Sequence, residues 1–338
     1  MLVNDAKINL FLYTIAHFLV DGICAITVLE YVEYISISTL ISYLIIYNFL
    51  AFMMQPVIGY FVDKTIRKKE IILVSFFMLA TGFFLPFCQI MRVILVGSAN
   101  CLFHVAAGAK VLEISNRKMW SLGVFVSTGA VGLSLGTFYP NNSIVQITFI
   151  SLLSVVFIAV FLLTNNVITN QKTCQNTSVS WIVLGGLLFC ISIRSFMGFV
   201  RTTPFENIAY LPLILSGFVF TGKFIGGFLC DYLSIQKVVL FFVPLSALFY
   251  FVGDNHFILW GIGQFLINIS MPITLYLIYR AMPNRPAFGF GLAASFLVPG
   301  LIISLFFTQV QIPIWIFLLI FLANFALLLI GNDAVSKK

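Results

Sequence analysis

The sequence predicts an all-α polytopic membrane protein that crosses the bilayer twelve times, as two pseudo-symmetric six-helix bundles. Three observations carry this. Hydrophobic residues make up 61% of the 338 and charged residues 9%, with a mean hydropathy of +1.09. A soluble domain is about a quarter charged, so most of this surface must face lipid. Twelve apolar runs follow one another, and a glycine–aspartate pattern recurs about half a chain apart.

The runs have the length that a spanning helix needs, about 17 to 25 residues. They cover 8–30, 36–62, 70–90, 92–115, 118–138 and 143–164, then 179–200, 208–232, 237–253, 256–279, 286–308 and 312–331. Short connections make neighbouring helices antiparallel. The longest polar stretch, "TNNVITNQKTCQNTS", falls between the sixth and seventh runs. The expected organisation is therefore a bundle over 1–164, a cytoplasmic linker over 165–178 and a second bundle over 179–338. The first run is too long for a removable signal and lacks a small-residue cleavage site, so it reads as a permanent span.

Cation placement orients the chain. With the N-terminus inside, the inner segments hold Lys7, Lys64, Arg67, Lys68, Lys69, Arg117, Lys118, Lys172, Lys237, Arg280, Arg285, Lys337 and Lys338. The outer loops hold only Arg92 and Arg201. That bias puts both termini in the cytoplasm and the protein in the cell (inner) membrane. It also accounts for the net charge of +7 without nucleic acid as a partner. Trp120, Trp181, Trp260 and Trp315 fall near span ends, where interfacial belts form. The six cysteines form no C-x-x-C pair and lie mostly in apolar runs, so neither a disulfide framework nor a metal site is expected.

Between the second and third runs stands "GYFVDKTIRKK", and between the eighth and ninth "GGFLCDYLSIQK". In each, a glycine precedes an aspartate by four residues: Gly59 and Asp63, then Gly227 and Asp231. Repeats of this kind mark two-bundle transporters. The first loop resembles the loop motif of the major facilitator superfamily, with Gly59, Phe61, Asp63, Lys64, Arg67 and Lys68 matching in type. Ile66 replaces the usual second glycine. In the second loop Gly227, Leu229 and Asp231 match, while Tyr232 replaces the basic residue. The resemblance implies the major facilitator fold and a cytoplasmic latch, in which Asp63 accepts hydrogen bonds from a helix N-terminus and the adjacent cations pair with it.

A narrower resemblance is to bacterial fosmidomycin-resistance-type efflux transporters. It rests on "LFHV" with Phe103 and His104, on Phe125, Gly129, Gly132 and Gly136 of the fifth run, on "HFLVDG" in the first, and on Ile193–Ser195 in the seventh. Val105 and Thr137 stand where that subgroup has proline. It implies export rather than uptake. Gly129, Gly132 and Gly136 share one helical face, and with Gly222, Gly226, Gly289, Gly291 and Gly300 they fit close-packed, sliding helix contacts between the halves. A plain packing role is the alternative for any one of them.

Ionisable groups inside apolar runs are functional candidates, because a charge there costs several kcal/mol unless it is paired, hydrated or neutral. Asp21, with His17 one turn before it, is expected to carry a proton or to form a fixed strut. Arg194 lies at similar depth in the seventh run and is expected to approach Asp21 across a central cavity. Asn100 and His104 share a face of the fourth helix, and Gln264 and Asn268 a face of the tenth; all four are candidate substrate contacts. Lys110 and Glu113 are spaced to pair, and Lys223 is a candidate partner for a carboxylate or anion.

No G-x-x-x-x-G-K-[ST] loop occurs, so nucleotide-driven transport is not expected. With three histidines on separate runs, a membrane-embedded enzyme is not expected either, nor any cofactor. The reading is a monomeric secondary transporter that works by alternating access, driven by a proton gradient. It would export a small amphipathic or anionic compound. The alternatives are an uptake carrier for a small organic anion or metabolite, and a transporter-fold sensor or membrane assembly partner.

Overall fold

The structure, a computed structural model, describes residues 2–85, 88–115, 118–166, 179–199, 205, 207–253, 256–307 and 313–336. Arg117, Lys172, Cys174, Arg201, Lys337, Lys338 and residues 167–178 of the expected linker lie outside the described residues. Every described element is helical. In order they are α1 Leu2–Leu29, α2 Ile37–Val62, α3 Lys68–Phe84, α4 Gln89–Ile114, α5 Trp120–Phe138 and α6 Ser143–Leu163. There follow α7 Trp181–Phe199, α8 Leu211–Leu233, α9 Ile235–Val252, α10 Phe257–Ala281, α11 Pro286–Phe306 and α12 Ile314–Ser336.

Eleven helices among the described residues are long and apolar enough to cross a membrane. The twelfth, α3, has 17 residues. At 1.5 Å per residue it reaches about 26 Å, slightly short of a bilayer core. The helix ends before the apolar run 70–90 does, because extended Leu85 follows Phe84.

The chain divides into two compact units. The first comprises Met1–Ile114, Thr128–Gln171 and Arg285–Gly291; the second comprises Ser115–Ser127, Lys172–Asn284 and Leu292–Lys338. The N-terminal turns of α5 thus group with the C-terminal half of the sequence, and those of α11 with the N-terminal half. The boundaries expected from sequence, 1–164 and 179–338, carry no such exchange.

In the first unit α4 is the central helix, buried along nearly its whole length. Its small residues let neighbours approach; a Cβ on Gly97 would press on Leu50 and Tyr47 of α2. Across α1, Gly132 and Gly136 of α5 lie directly against the backbone of Phe18 and Gly22. In contrast, α6 presents Ile144, Ile147 and Leu162 outward, as a lipid-facing helix does.

The second unit has its own apolar core, with Phe196, Met197, Tyr250, Trp260, Ile267 and Phe321 among its members. Trp260 is 1% exposed and corrects the sequence expectation of an interfacial residue. Its ring packs at a tilt against those of Phe205 and Phe257. Trp181 and Trp315 are exposed, as interfacial residues are.

Three spans are interrupted, each just before a proline. Proline has no N–H, so the carbonyl four residues earlier loses its helical partner. Before Pro56, α2 loosens into a π-helical turn over Phe49–Met53, and the Gln55 side chain donates to Ala51 O at 2.6 Å. Before Pro272, α10 breaks at Ile269. Before Pro299, α11 breaks at Phe296, and Ser192 and Ser195 of α7 donate to the carbonyls of Phe296 and Leu297, each at 2.7 Å. The freed carbonyls are those of Phe52, Asn268 and Ser295, and the side-chain bonds fall on the neighbouring carbonyls of Ala51, Phe296 and Leu297, tying the loosened turns where the bilayer core offers no water.

Candidate functional site

Within the first unit, α1 and α4 bring four polar side chains together. Helical spacing of four residues puts His17 above Asp21 on α1 and Asn100 above His104 on α4. His17 Nε2 lies 3.2 Å from Asp21 Oδ2, and His104 Nε2 lies 3.5 Å from Asp21 Oδ1. The two imidazoles meet through their Nε2 atoms at 2.9 Å. Asn100 Nδ2 donates to Asp21 Oδ1 at 3.1 Å. Gly129 of α5 closes one side, where a Cβ would collide with both Asp21 and His17. His17, Asn100 and His104 are buried.

The hydrogen-bond network assigns the protons. His104 Nδ1 stands 3.0 Å from Asn100 O, which can only accept, so the Nδ1 carries hydrogen, and in the neutral ring the Nε2 carries a lone pair. His17 Nε2 must then donate to it. With His104 neutral, its Nε2 accepts from His17 and Asp21 Oδ1 accepts from Asn100, and these two acceptors stand 3.5 Å apart, close enough to share an added proton or cation. One nitrogen from each imidazole and one carboxylate oxygen all lie within 4.8 Å of one another, the arrangement of a possible metal centre.

Arg194 on α7 is buried in the second unit. Its guanidinium donates to Ser270 Oγ at 3.2 Å and to Thr274 Oγ1 at 3.4 Å, and also contacts the Met271 thioether. These acceptors sit at the break in α10, where the chain presents hydroxyls to the incoming cation. Among the described residues no carboxylate forms an ion pair with Arg194. Asp21 and Arg194 each take the partners described here from their own unit. Gln264 and Asn268 hold backbone: Gln264 Nε2 donates to Met197 O at 3.1 Å, and Asn268 Nδ2 donates to Gln264 O at 2.8 Å.

The two loop aspartates are both helix caps. Asp63 accepts from the backbone N–H groups of Ala287 and Phe288, both at 2.8 Å, in the first turn of α11. Asp231 accepts from Met119 and Trp120 at the start of α5, again both at 2.8 Å. A carboxylate across a helix N-terminus meets unsatisfied donors and the positive end of the dipole. Gly59 and Gly227 make the approach possible, since a Cβ on either would collide with the capped backbone. Burial pushes the Asp63 carboxyl above its ordinary range, while the Phe288 and Ala287 amides pull it back down.

The cations expected to pair with Asp63 go elsewhere. Lys64 lies over the Tyr60 ring at 4.0 Å, Lys68 pairs with Glu113 at 2.7 Å, and Arg67 is exposed. The expected Lys110–Glu113 pair is replaced: Lys110 donates to Asn165 O at 2.9 Å. The Gly129, Gly132 and Gly136 stripe meets α1, whereas Gly123 earlier on α5 meets Gly227 and the carbonyl of Lys223.

Sequence reading missed one buried pair. Arg92, expected in an outer loop, is 3% exposed and pairs with Glu30. Its guanidinium also donates to Gly82 O and Phe83 O. The signal was present, because the end of the first run and the start of the fourth lie on the same membrane side.

No family model matches this sequence, and no curated protein sequence does either. Solved structures match over nearly the whole chain. A variant of the Escherichia coli fucose:proton symporter FucP aligns with a TM-score of 0.70 at 12% identity, covering 97% of this chain and 99% of its own. FucP in the outward conformation, described as a major facilitator superfamily transporter, gives 0.63 at 11% identity, covering 97% and 99%. A bacterial homologue of the iron transporter ferroportin in an outward-facing state gives 0.62 at 10% identity, covering 97% and 98%. Fold and helix count together define a multi-pass membrane protein with the major facilitator fold.

Proposed function

We propose that this protein is a secondary transporter working by alternating access, with protons coupled through the His17–Asp21–His104 group. The observation that carries the reading is that group itself: two acceptors inside the membrane-spanning part of the fold stand close enough to share a mobile proton. Proton coupling also occurs on this fold in the fucose:proton symporter to which the chain is similar.

The transported compound is proposed to be small and amphipathic or anionic. Arg194, buried without a carboxylate partner among the described residues, supplies charge for an anionic group. Export, as in fosmidomycin-resistance-type transporters, rests on the sequence resemblance alone, with cytoplasmic termini as the orientation.

The test is a substrate screen in proteoliposomes with an imposed pH gradient, comparing the native protein with Asp21→Asn. Proton-driven flux that is lost in Asp21→Asn supports the reading, and equal pH-driven flux in both refutes the coupling role. Counterflow separates a carrier from a sensor, which binds without exchange.

A further inference from the structure

We infer that His17, Asp21 and His104 form a binding site for a divalent first-row transition-metal ion. Three features of the geometry carry this. The first is spacing. The imidazole Nε2 atoms are 2.9 Å apart, His17 stands 3.2 Å from one oxygen of Asp21 and His104 3.5 Å from the other, and with one donor atom per residue all three lie within 4.8 Å of one another; ligands about 2.1 Å from a tetrahedral zinc ion stand about 3.4 Å apart. An ion entering the group therefore needs side-chain adjustments that bring the three donors onto one centre, and it displaces the hydrogen from His17 Nε2, which passes to Nδ1 or to solvent.

The second feature is orientation from outside the group. His104 Nδ1–H is tied to Asn100 O at 3.0 Å, which turns the Nε2 lone pair inward. The Asn100 side chain holds Asp21 Oδ1 at 3.1 Å. Metal-ligating histidines are characteristically fixed in this way, through the other ring nitrogen to a carbonyl. Third, no lysine or arginine among the described residues forms an ion pair with Asp21, so its charge is available to a cation.

Donor chemistry selects the class of ion. Two imidazoles and one carboxylate suit zinc, iron, cobalt or nickel, whereas calcium and magnesium prefer all-oxygen shells. The three side chains leave coordination positions open, to be filled by water or by a ligand that travels with the ion. One occupant excludes the other, because the ion takes the lone pairs that otherwise hold a proton.

Zinc binding to the untagged, detergent-purified full chain tests this by titration calorimetry, which needs no transport. The expected result is one ion per chain, with affinity at least tenfold weaker in His17→Gln, in His104→Gln and in Asp21→Asn. His256→Ala, which removes the chain's only other histidine, should bind as the native protein does. Absence of stoichiometric binding, or equal affinity in the ligand variants, overturns the site. Should those variants fail to fold, zinc-edge X-ray absorption on the native protein decides. Two imidazoles in the first coordination sphere support the assignment and fewer than two refute it. Failure here leaves proton-driven flux untouched, so the two readings fall separately.

Discussion

Asp63 and Asp231 perform the same act at the same interval. The aspartates are 168 residues apart (63 to 231), and so are the backbone amides they cap (119 to 287 and 120 to 288). The glycines obey the same offset. Gly59 meets Ala287 and Phe288, as Gly227 meets Met119 and Trp120, and Gly291 meets Gln55 O, as Gly123 meets Lys223 O. A register kept without a gap through loop, cap and helix contact is the structural form of the internal repeat.

Replacing either cap should destabilise the protein. Asp63→Asn and Asp231→Asn each replace one of two accepting oxygens by an NH2 that faces a backbone N–H. At about 1.5–3 kcal/mol for a bond to a charged group, partial loss should lower Tm by several degrees. Differential scanning fluorimetry in detergent reads this directly. Tm values equal to that of the native protein would mean that the caps add no net stability.

Asp63 also makes a pH prediction. Its carboxyl lies above the ordinary 3.8, chiefly through burial, so it takes up a proton at a higher pH than an exposed aspartate does. Folding therefore favours its protonated form. The destabilisation from burying its charge is present at neutral pH and is relieved as pH falls through the raised value. An infrared titration comparing native protein with Asp63→Asn should show a carboxyl band with a midpoint above 3.8. A midpoint below it would refute the dominance of burial.

The glycines divide into two groups with opposite expectations. Gly59→Ala and Gly227→Ala drive a methyl into backbone that has no freedom to move, and both should lower the yield of folded protein and its Tm. Gly185 has nothing within 4 Å of its Cβ position. Gly185→Ala should be neutral or stabilising by up to about 1 kcal/mol, since alanine favours the helix. Thermal melts of the three variants check the contrast.

These elements also show what could be read in advance. The caps and their glycines were legible because a short motif recurs, and helix termini attract carboxylates wherever they occur. His17, Asp21, Asn100 and His104 were legible as polar residues at helical spacing in apolar runs. Their assembly into one group was not, because contact between α1 and α4 depends on packing that periodicity does not encode. The partners of Lys64, Lys68 and Lys110 were misjudged for a related reason. A flexible cation near a helix end settles on whichever ring, carboxylate or carbonyl the tertiary structure brings within reach. Trp260 reads as interfacial from its position in the run, yet tertiary packing buries it beside Phe205 and Phe257.

The Glu30–Arg92 pair gives a prediction with an internal control. Arg92 is almost wholly buried, while the Glu30 side chain keeps 23% of its exposure. Glu30→Ala strands the guanidinium with only the carbonyls of Gly82 and Phe83 and the Gln89 side chain as acceptors. Breaking a buried pair from one side costs about 3–5 kcal/mol, because the remaining charge stays desolvated. Removing both charges, as Glu30→Ala with Arg92→Met, eliminates that stranded charge and keeps much of the side-chain volume. The double variant should therefore melt above Glu30→Ala alone, with a coupling of about 1–3 kcal/mol. Calorimetric or fluorimetric melts of the native protein, both single variants and the double close the cycle. A coupling within error of zero would mean that the carbonyls, and not Glu30, hold Arg92 in place.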